Sequence, residues 1–200
     1  MHRLFVGLSP PSDAAEALHA GARRCFAPAG ADRLRFSGAG DLHMTVLFLG
    51  DVAEELVPDL TASLERSLAS QPVLDLEIAG TGAFPSAQRP RVLWAGVRTA
   101  AEGDPGLDLL RAEVVRAVRD AGVGVAERET EVPFRAHITL ARVRSFVRPE
   151  AARRFFALDF RAAWRVAEVA LFRSMMERSS SPSADSRYPK ILRIPCRPRT

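Results

Sequence analysis

The tripeptide His-x-Thr occurs twice, as His43-Met44-Thr45 and His137-Ile138-Thr139, each inside an apolar run of strand length. With 4 His and seven Thr in 200 residues, chance supplies ~0.14 such tripeptides. The two runs cover residues 41–50 and 134–142, and Gly50-Asp51 punctuates the end of the first. Side chains at i and i+2 of a strand share a face and stand about 7 Å apart. His43 therefore neighbours Thr45, and His137 neighbours Thr139. If the two strands lie side by side, two imidazoles and two hydroxyls surround a space suited to a phosphate.

The rest of the chain reads as strands and helices in a repeating order. Strands are expected over residues 3–8, 34–36, 73–78, 91–97, 166–174 and 190–194. Asp13-Ala-Ala-Glu16 has the spacing of a capping box and predicts a helix to about Phe26. A second helix is expected over 54–70, with Leu56, Leu60, Leu64 and Leu68 on one stripe, a third over 107–121 and a short one over 149–157. Residues 177–186 form a polar, Ser-rich stretch expected to be a mobile loop. No linker divides the chain. Each half holds one His-x-Thr strand preceded by strand and helix, which predicts one domain over 1–200 made of two similar α+β lobes.

Composition narrows the class. Hydrophobic residues make up 47% and charged residues 26%, as in ordinary globular proteins. No stretch approaches the roughly 20 apolar residues that span a bilayer, and the apolar run after Met1 is too short for a signal peptide. A cytoplasmic protein with no membrane association is the expectation. Cys25 and Cys196 lie far apart with no C-x-x-C spacing, which excludes a disulfide framework and a thiolate zinc site. The net charge is +4, carried by 27 Arg against one Lys, Lys190. A GC-rich genome explains most of that bias. An Arg fork also suits phosphate oxygens.

Opening a cyclic phosphodiester with water needs a proton removed on one side of phosphorus and a proton supplied on the other. A neutral imidazole performs the first task and an imidazolium the second. An ordinary His titrates near about 6.5, so both forms are accessible. Thr45 and Thr139 can donate to the nonbridging oxygens. A lone His on an apolar strand is more often a satisfied core residue; the matched pair is what points to catalysis. His2 and His19 carry no such signal.

The sequence resembles the RNA 2',3'-cyclic phosphodiesterases, historically called 2'-5' RNA ligases, of the two-histidine phosphoesterase superfamily. The resemblance rests on Arg3-Leu4-Phe5, the block from Leu42 to Gly50, Gly82-Ala83-Phe84-Pro85, the stretches 89–94 and 134–142, and Leu171-Phe172-Arg173-Ser174. It implies a bilobal α+β fold with two antiparallel sheets facing a central cleft, helices outside, and a pseudo-twofold relation. It implies hydrolysis of an RNA-terminal 2',3'-cyclic phosphate to a 2'-phosphate; the proton-transfer scheme itself requires no metal or other cofactor, and a monomer is expected. By the family pattern His43 is the proton donor, His137 the acceptor and Arg142 a phosphate contact. Strand parity counted from His137 sets Arg142 on the opposite face, so this role requires the strand to end or twist there. Position 47 is Leu where relatives often carry a basic residue, on the face expected to hold His43 and Thr45, which would weaken binding of longer RNA. The Ser-rich loop replaces a shorter, Gly-containing turn.

Three other readings compete. Running the same proton transfers backwards would join RNA ends, but water at about 55 M favours hydrolysis unless the ends are held together. A non-catalytic nucleotide- or RNA-binding module would not need both His and both Thr. A metallohydrolase would need His-Glu-x-x-His or a Cys cluster, which the chain lacks.

Overall fold

Fourteen regular elements succeed one another in the computed structural model, which describes residues 1–27, 33–175 and 186–198. They are β1 (His2–Leu8), α1 (Ser12–Phe26), β2 (Leu34–Phe36), β3 (Met44–Val52), α2 (Val57–Ser67), β4 (Leu74–Phe84) and β5 (Val92–Thr99). The chain continues through α3 (Gly106–Asp120), α4 (Arg128–Glu131), β6 (His137–Val143), α5 (Pro149–Phe156), β7 (Arg161–Val166), β8 (Glu168–Arg173) and β9 (Lys190–Pro195). The Ser-rich stretch lies outside the described residues except for Ser186.

The strands pair in the order β7-β4-β5-β6-β3-β1-β8-β9, with β2 on β6, and every named pairing is antiparallel. The order is two four-stranded halves, β9-β8-β1-β3 and β7-β4-β5-β6, that meet back to back. They meet at a single register pair, Met44 opposite Ile138. Exchanging the halves maps β1 onto β5, β3 onto β6, α1 onto α3 and α2 onto α5. The helix contacts obey the same exchange, since α2 packs on α3 and α1 on α5. This is the α+β, pseudo-twofold arrangement with outer helices. The two expected antiparallel sheets are joined, through the β3–β6 pairing, into one curled nine-stranded sheet.

Apolar spacing explains the helices. In α1 the buried residues Ala14, Ala15, Leu18, Ala22, Cys25 and Phe26 fall on one stripe. The expected capping box is absent: the helix starts one residue earlier, at Ser12, and Asp13 lies inside the first turn with no side-chain cap. Pro11 supplies the first acceptor instead, its carbonyl accepting from Ala15 N at 2.9 Å, while Asp13 favours the positive end of the helix. In α3, Leu110, Val114 and Val118 are all within 1% of full burial. Among the described residues no helix is long and apolar enough to cross a membrane.

Two irregularities in β3 shape the site. The strand does not stop at Gly50 but runs to Val52, because Gly50 adopts φ +74°, a conformation open to glycine, and absorbs a bulge between the Leu4 and Phe5 pairings. A second bulge lies between the Val6 and Gly7 pairings, where Val6 faces Leu47 and Gly7 faces Thr45, leaving Val46 unpaired. Strand β7 was not expected from the sequence, and β4 extends six residues past the expected 73–78.

Candidate active site

Met44 and Ile138 are both fully buried, and they are the central residues of the two His-x-Thr tripeptides. Alternation therefore turns His43, Thr45, His137 and Thr139 to the other face, and all four are half-buried there. One step either way from the Met44–Ile138 pair, the antiparallel register sets Thr45 beside His137 and Thr139 beside His43. Each His thus has one Thr on its own strand and one across the junction. Thr45 and His137 line one cavity of about 660 Å³ together with Phe48, Phe84, Arg111 and Arg135. A second cavity of about 450 Å³ is lined by His43 with Asp41, Phe172, Tyr188, Lys190 and Arg193.

Both rings are oriented by the same device. His43 Nδ1 lies 2.7 Å from the Asp41 carbonyl, and His137 Nδ1 lies 2.7 Å from the Arg135 carbonyl. A carbonyl only accepts, so each Nδ1 carries a proton and each Nε2 is left for chemistry. Aromatic rings hold the imidazoles laterally. Phe5 stacks on His43 at 4.6 Å and Tyr188 meets its edge at 4.7 Å. Phe84 meets His137 edge-on at 5.0 Å, with Trp94 at 6.1 Å.

Burial pushes both imidazoles below the usual histidine range, and their surroundings then differ. At His43 the Asp41 carbonyl and carboxylate partly restore the imidazolium, against the charges of His137 and Arg142. At His137 the carbonyl of Arg135 favours the imidazolium, but the Arg135 guanidinium opposes it. The sensitivity of His43 to both His137 and Arg142 means that the junction brings residues from both halves together.

Bulges decide the remaining positions. In β6 the pairings step from Leu93–Ala141 to Trp94–Thr139, so Leu140 is the extra residue. Leu140 and Ala141 are both buried, and the doubled inward step returns Arg142 to the face of His137 and Thr139. The strand neither ends nor needs an unusual twist, which corrects the parity count made from sequence. The Val46 bulge, three residues after His43 as Leu140 is three after His137, does the same in β3. Leu47 is fully buried in the core, so the expectation that it faces the site is wrong. Phe48 takes that place and is the counterpart of Arg142. Its ring lies under Arg3 at 4.9 Å.

Several residues around the site escape motif reading. Asp41 uses its carboxylate as well as its carbonyl: Oδ1 accepts from Ser186 Oγ and from Arg187 N, both at 2.8 Å. That contact holds the segment carrying Tyr188 against His43. The available signal was positional, since Asp41 and Arg135 each stand two residues before a His. Among the described residues, no group of three or more His, Cys, Asp or Glu side chains could hold a metal ion.

A family model, the 2'-5' RNA ligase superfamily, matches residues 9–175. The chain belongs to the 2'-5' RNA ligase superfamily. Among superfamily proteins, the RNA 2',3'-cyclic phosphodiesterase of Geobacillus stearothermophilus is 31% identical over 154 residues, 76% of this chain and 46% of that protein. The RNA 2',3'-cyclic phosphodiesterase of Thermus thermophilus is 36% identical over 137 residues, 68% of this chain and 65% of that protein. The chain spans about half to two thirds of the length of the curated relatives it matches. The crystal structure of TT0787 of Thermus thermophilus superposes with a TM-score of 0.76 at 26% identity, covering 99% of this chain and 100% of that one. E. coli LigT complexed with 3'-AMP shares the fold, with a TM-score of 0.70 at 24% identity over 98% of both chains.

Proposed function

We propose that this chain hydrolyses the 2',3'-cyclic phosphate at an RNA end to a 2'-phosphomonoester by two-histidine acid–base catalysis that needs no metal. The observation that supports the reading is the Met44–Ile138 register, from which both His and both Thr share one face of the sheet, with each Nδ1 engaged by a carbonyl and each Nε2 left for chemistry. Superfamily membership and the relatives' names support it.

His137 Nε2, neutral, takes a proton from water on one side of phosphorus. The hydroxide attacks, the bond from phosphorus to O3' breaks, and O3' leaves with the proton of His43 Nε2. The products are a 2'-phosphate and a 3'-hydroxyl, with His43 neutral and His137 protonated until solvent resets both. The resemblance supplies this order of roles; at His43 the Asp41 carbonyl and carboxylate favour the imidazolium, while burial, His137 and Arg142 oppose it. Thr45, Thr139 and Arg142 hold the nonbridging oxygens in this scheme. The same reading treats the chain as one domain whose two similar lobes each supply half of the site.

The test is hydrolysis of a nucleoside 2',3'-cyclic phosphate in EDTA, comparing the wild type with His43→Ala and His137→Ala. Turnover to the 2'-phosphate, lost in both variants, is the expected result. Wild-type binding of nucleotide without turnover would overturn the reading in favour of a binding module.

A further inference from the structure

Several exposed arginines in this molecule have a carboxylate partner. Arg98 and Arg161 share Glu77, Arg116 meets Glu113 and Asp120, Arg165 meets Asp75, and Arg193 meets Glu168. One edge gathers arginines that do not. β2 and β6 form a short antiparallel ribbon in which Arg35 stands directly opposite Arg142. A backbone hydrogen bond from Arg144 N to Arg33 O, at 2.8 Å, carries the pairing a step further. Leu34 is 6% exposed and belongs to the core, so alternation sends Arg35, Arg142 and Arg144 outward, and all three are exposed. Arg33 lies over the Phe146 ring at 4.2 Å. Among the described residues, none of these four arginines makes an ion pair.

Like charges directly opposite each other weaken an antiparallel pair. A ribbon that keeps four guanidiniums together without carboxylates is poorly arranged for stability and well arranged for anions. Same-face positions along a strand stand about 7 Å apart, so the cluster addresses a row of anions rather than one. Its position gives the row a direction. Arg142 shares the face of His137 and Thr139, and the ribbon extends that face away from the junction.

We propose that the β2–β6 ribbon, through Arg35 and Arg144 with Arg33, binds the phosphodiester backbone of RNA leading away from the terminal cyclic phosphate. This rests on the acid–base reading of the site, and makes the protein prefer RNA ends to free nucleotides. The contacts are to phosphates, so they carry no base preference.

The experiment uses Arg35→Ala/Arg144→Ala, which leaves Arg142 and the histidines in place. Binding of a fluorescein-labelled ten-nucleotide RNA ending in a 2'-phosphate is followed by anisotropy across a salt series. Turnover of cytidine 2',3'-cyclic phosphate is measured in parallel. The expected result is RNA binding at least about tenfold weaker, with the slope of log affinity against log salt shallower by about 1.4, at roughly 0.7 per lost contact. Mononucleotide kcat/KM stays within about twofold. Unchanged RNA affinity, no RNA binding by the wild type, or a parallel loss of mononucleotide turnover would each overturn the proposal. Anisotropy does not depend on turnover, so a wild type that binds this RNA without cleaving a cyclic phosphate would sink the catalytic reading and leave the ribbon standing.

Discussion

Gly82 is where a single methyl group should disturb the site without touching either histidine. It pairs with Trp94 across the β4–β5 ladder. A Cβ added there would stand 2.2 Å from two atoms of the indole and 2.7 Å from a third. Carbon atoms in contact settle at about 3.5–4.0 Å, so the ring must move by roughly 1.3 Å or more. The backbone is held on one side by the β5 pairing, which runs from Thr81 to Phe84. The ring has little room either, with Phe84 at 5.3 Å and His137 at 6.1 Å. Overpacking of this kind costs about 1–3 kcal/mol, which in a chain of this size lowers Tm by roughly 2–12 °C. Misplacement near His137 should also reduce kcat/KM on the order of 10–100-fold. Thermal denaturation and turnover of Gly82→Ala are compared in the wild-type and Trp94→Leu backgrounds. In the second background the clash is gone, so the added methyl should cost almost nothing, giving a coupling of about 1–3 kcal/mol between the two sites. Equal losses in both backgrounds would refute the argument.

Further expectations concern pH, the bulge and the Asp41 contact. Burial lowers both imidazoles; the base is neutral only above its depressed pKa and the acid protonated only below its own, so kcat/KM should peak below the ordinary value of about 6.5. An optimum above about pH 7 would contradict this, and the kcat profile should lie at higher pH because bound phosphate favours the imidazolium. Leu47→Ala should lose about 2–5 kcal/mol of stability in denaturant titration with RNA affinity unchanged; weaker RNA binding by the folded variant would return Leu47 to the site face. Asp41→Asn keeps an acceptor for Ser186 and Arg187 but removes the charge that supports imidazolium at His43. The His43 titration, followed by NMR, should therefore move to lower pH, and an unmoved titration would count against the role given to that carboxylate.

The candidate pair, His43 and His137, is legible in the sequence because its signal is local: His and Thr two apart on an apolar strand share a face whatever the surrounding fold. The helices are legible for the same reason, since the Leu60–Leu64–Leu68 and Leu110–Val114–Val118 stripes are periodic. The bulges are not. From Met44 to Leu49 the side chains are almost all apolar, so an extra residue at Val46 leaves no break in the pattern, and parity errors at Leu47 and Arg142 result. β7 shows a different failure. Its inward residues Ala162, Trp164 and Val166 alternate with outward Arg161, Ala163 and Arg165, but an arginine-bearing edge strand lacks the apolar density that marks a strand. The aromatic surroundings of the histidines come from four different strands and the segment before β9, and that assembly is a property of the topology alone.

The central claim is that His43 and His137 act as one acid–base unit across the junction, and the direct measurement is kcat for the two single His→Ala variants and the double. A unit loses nearly all of its function when either member goes, so the double variant should be no slower than the worse single, within about threefold. Losses that multiply in the double, or substantial turnover surviving in either single, would contradict the account.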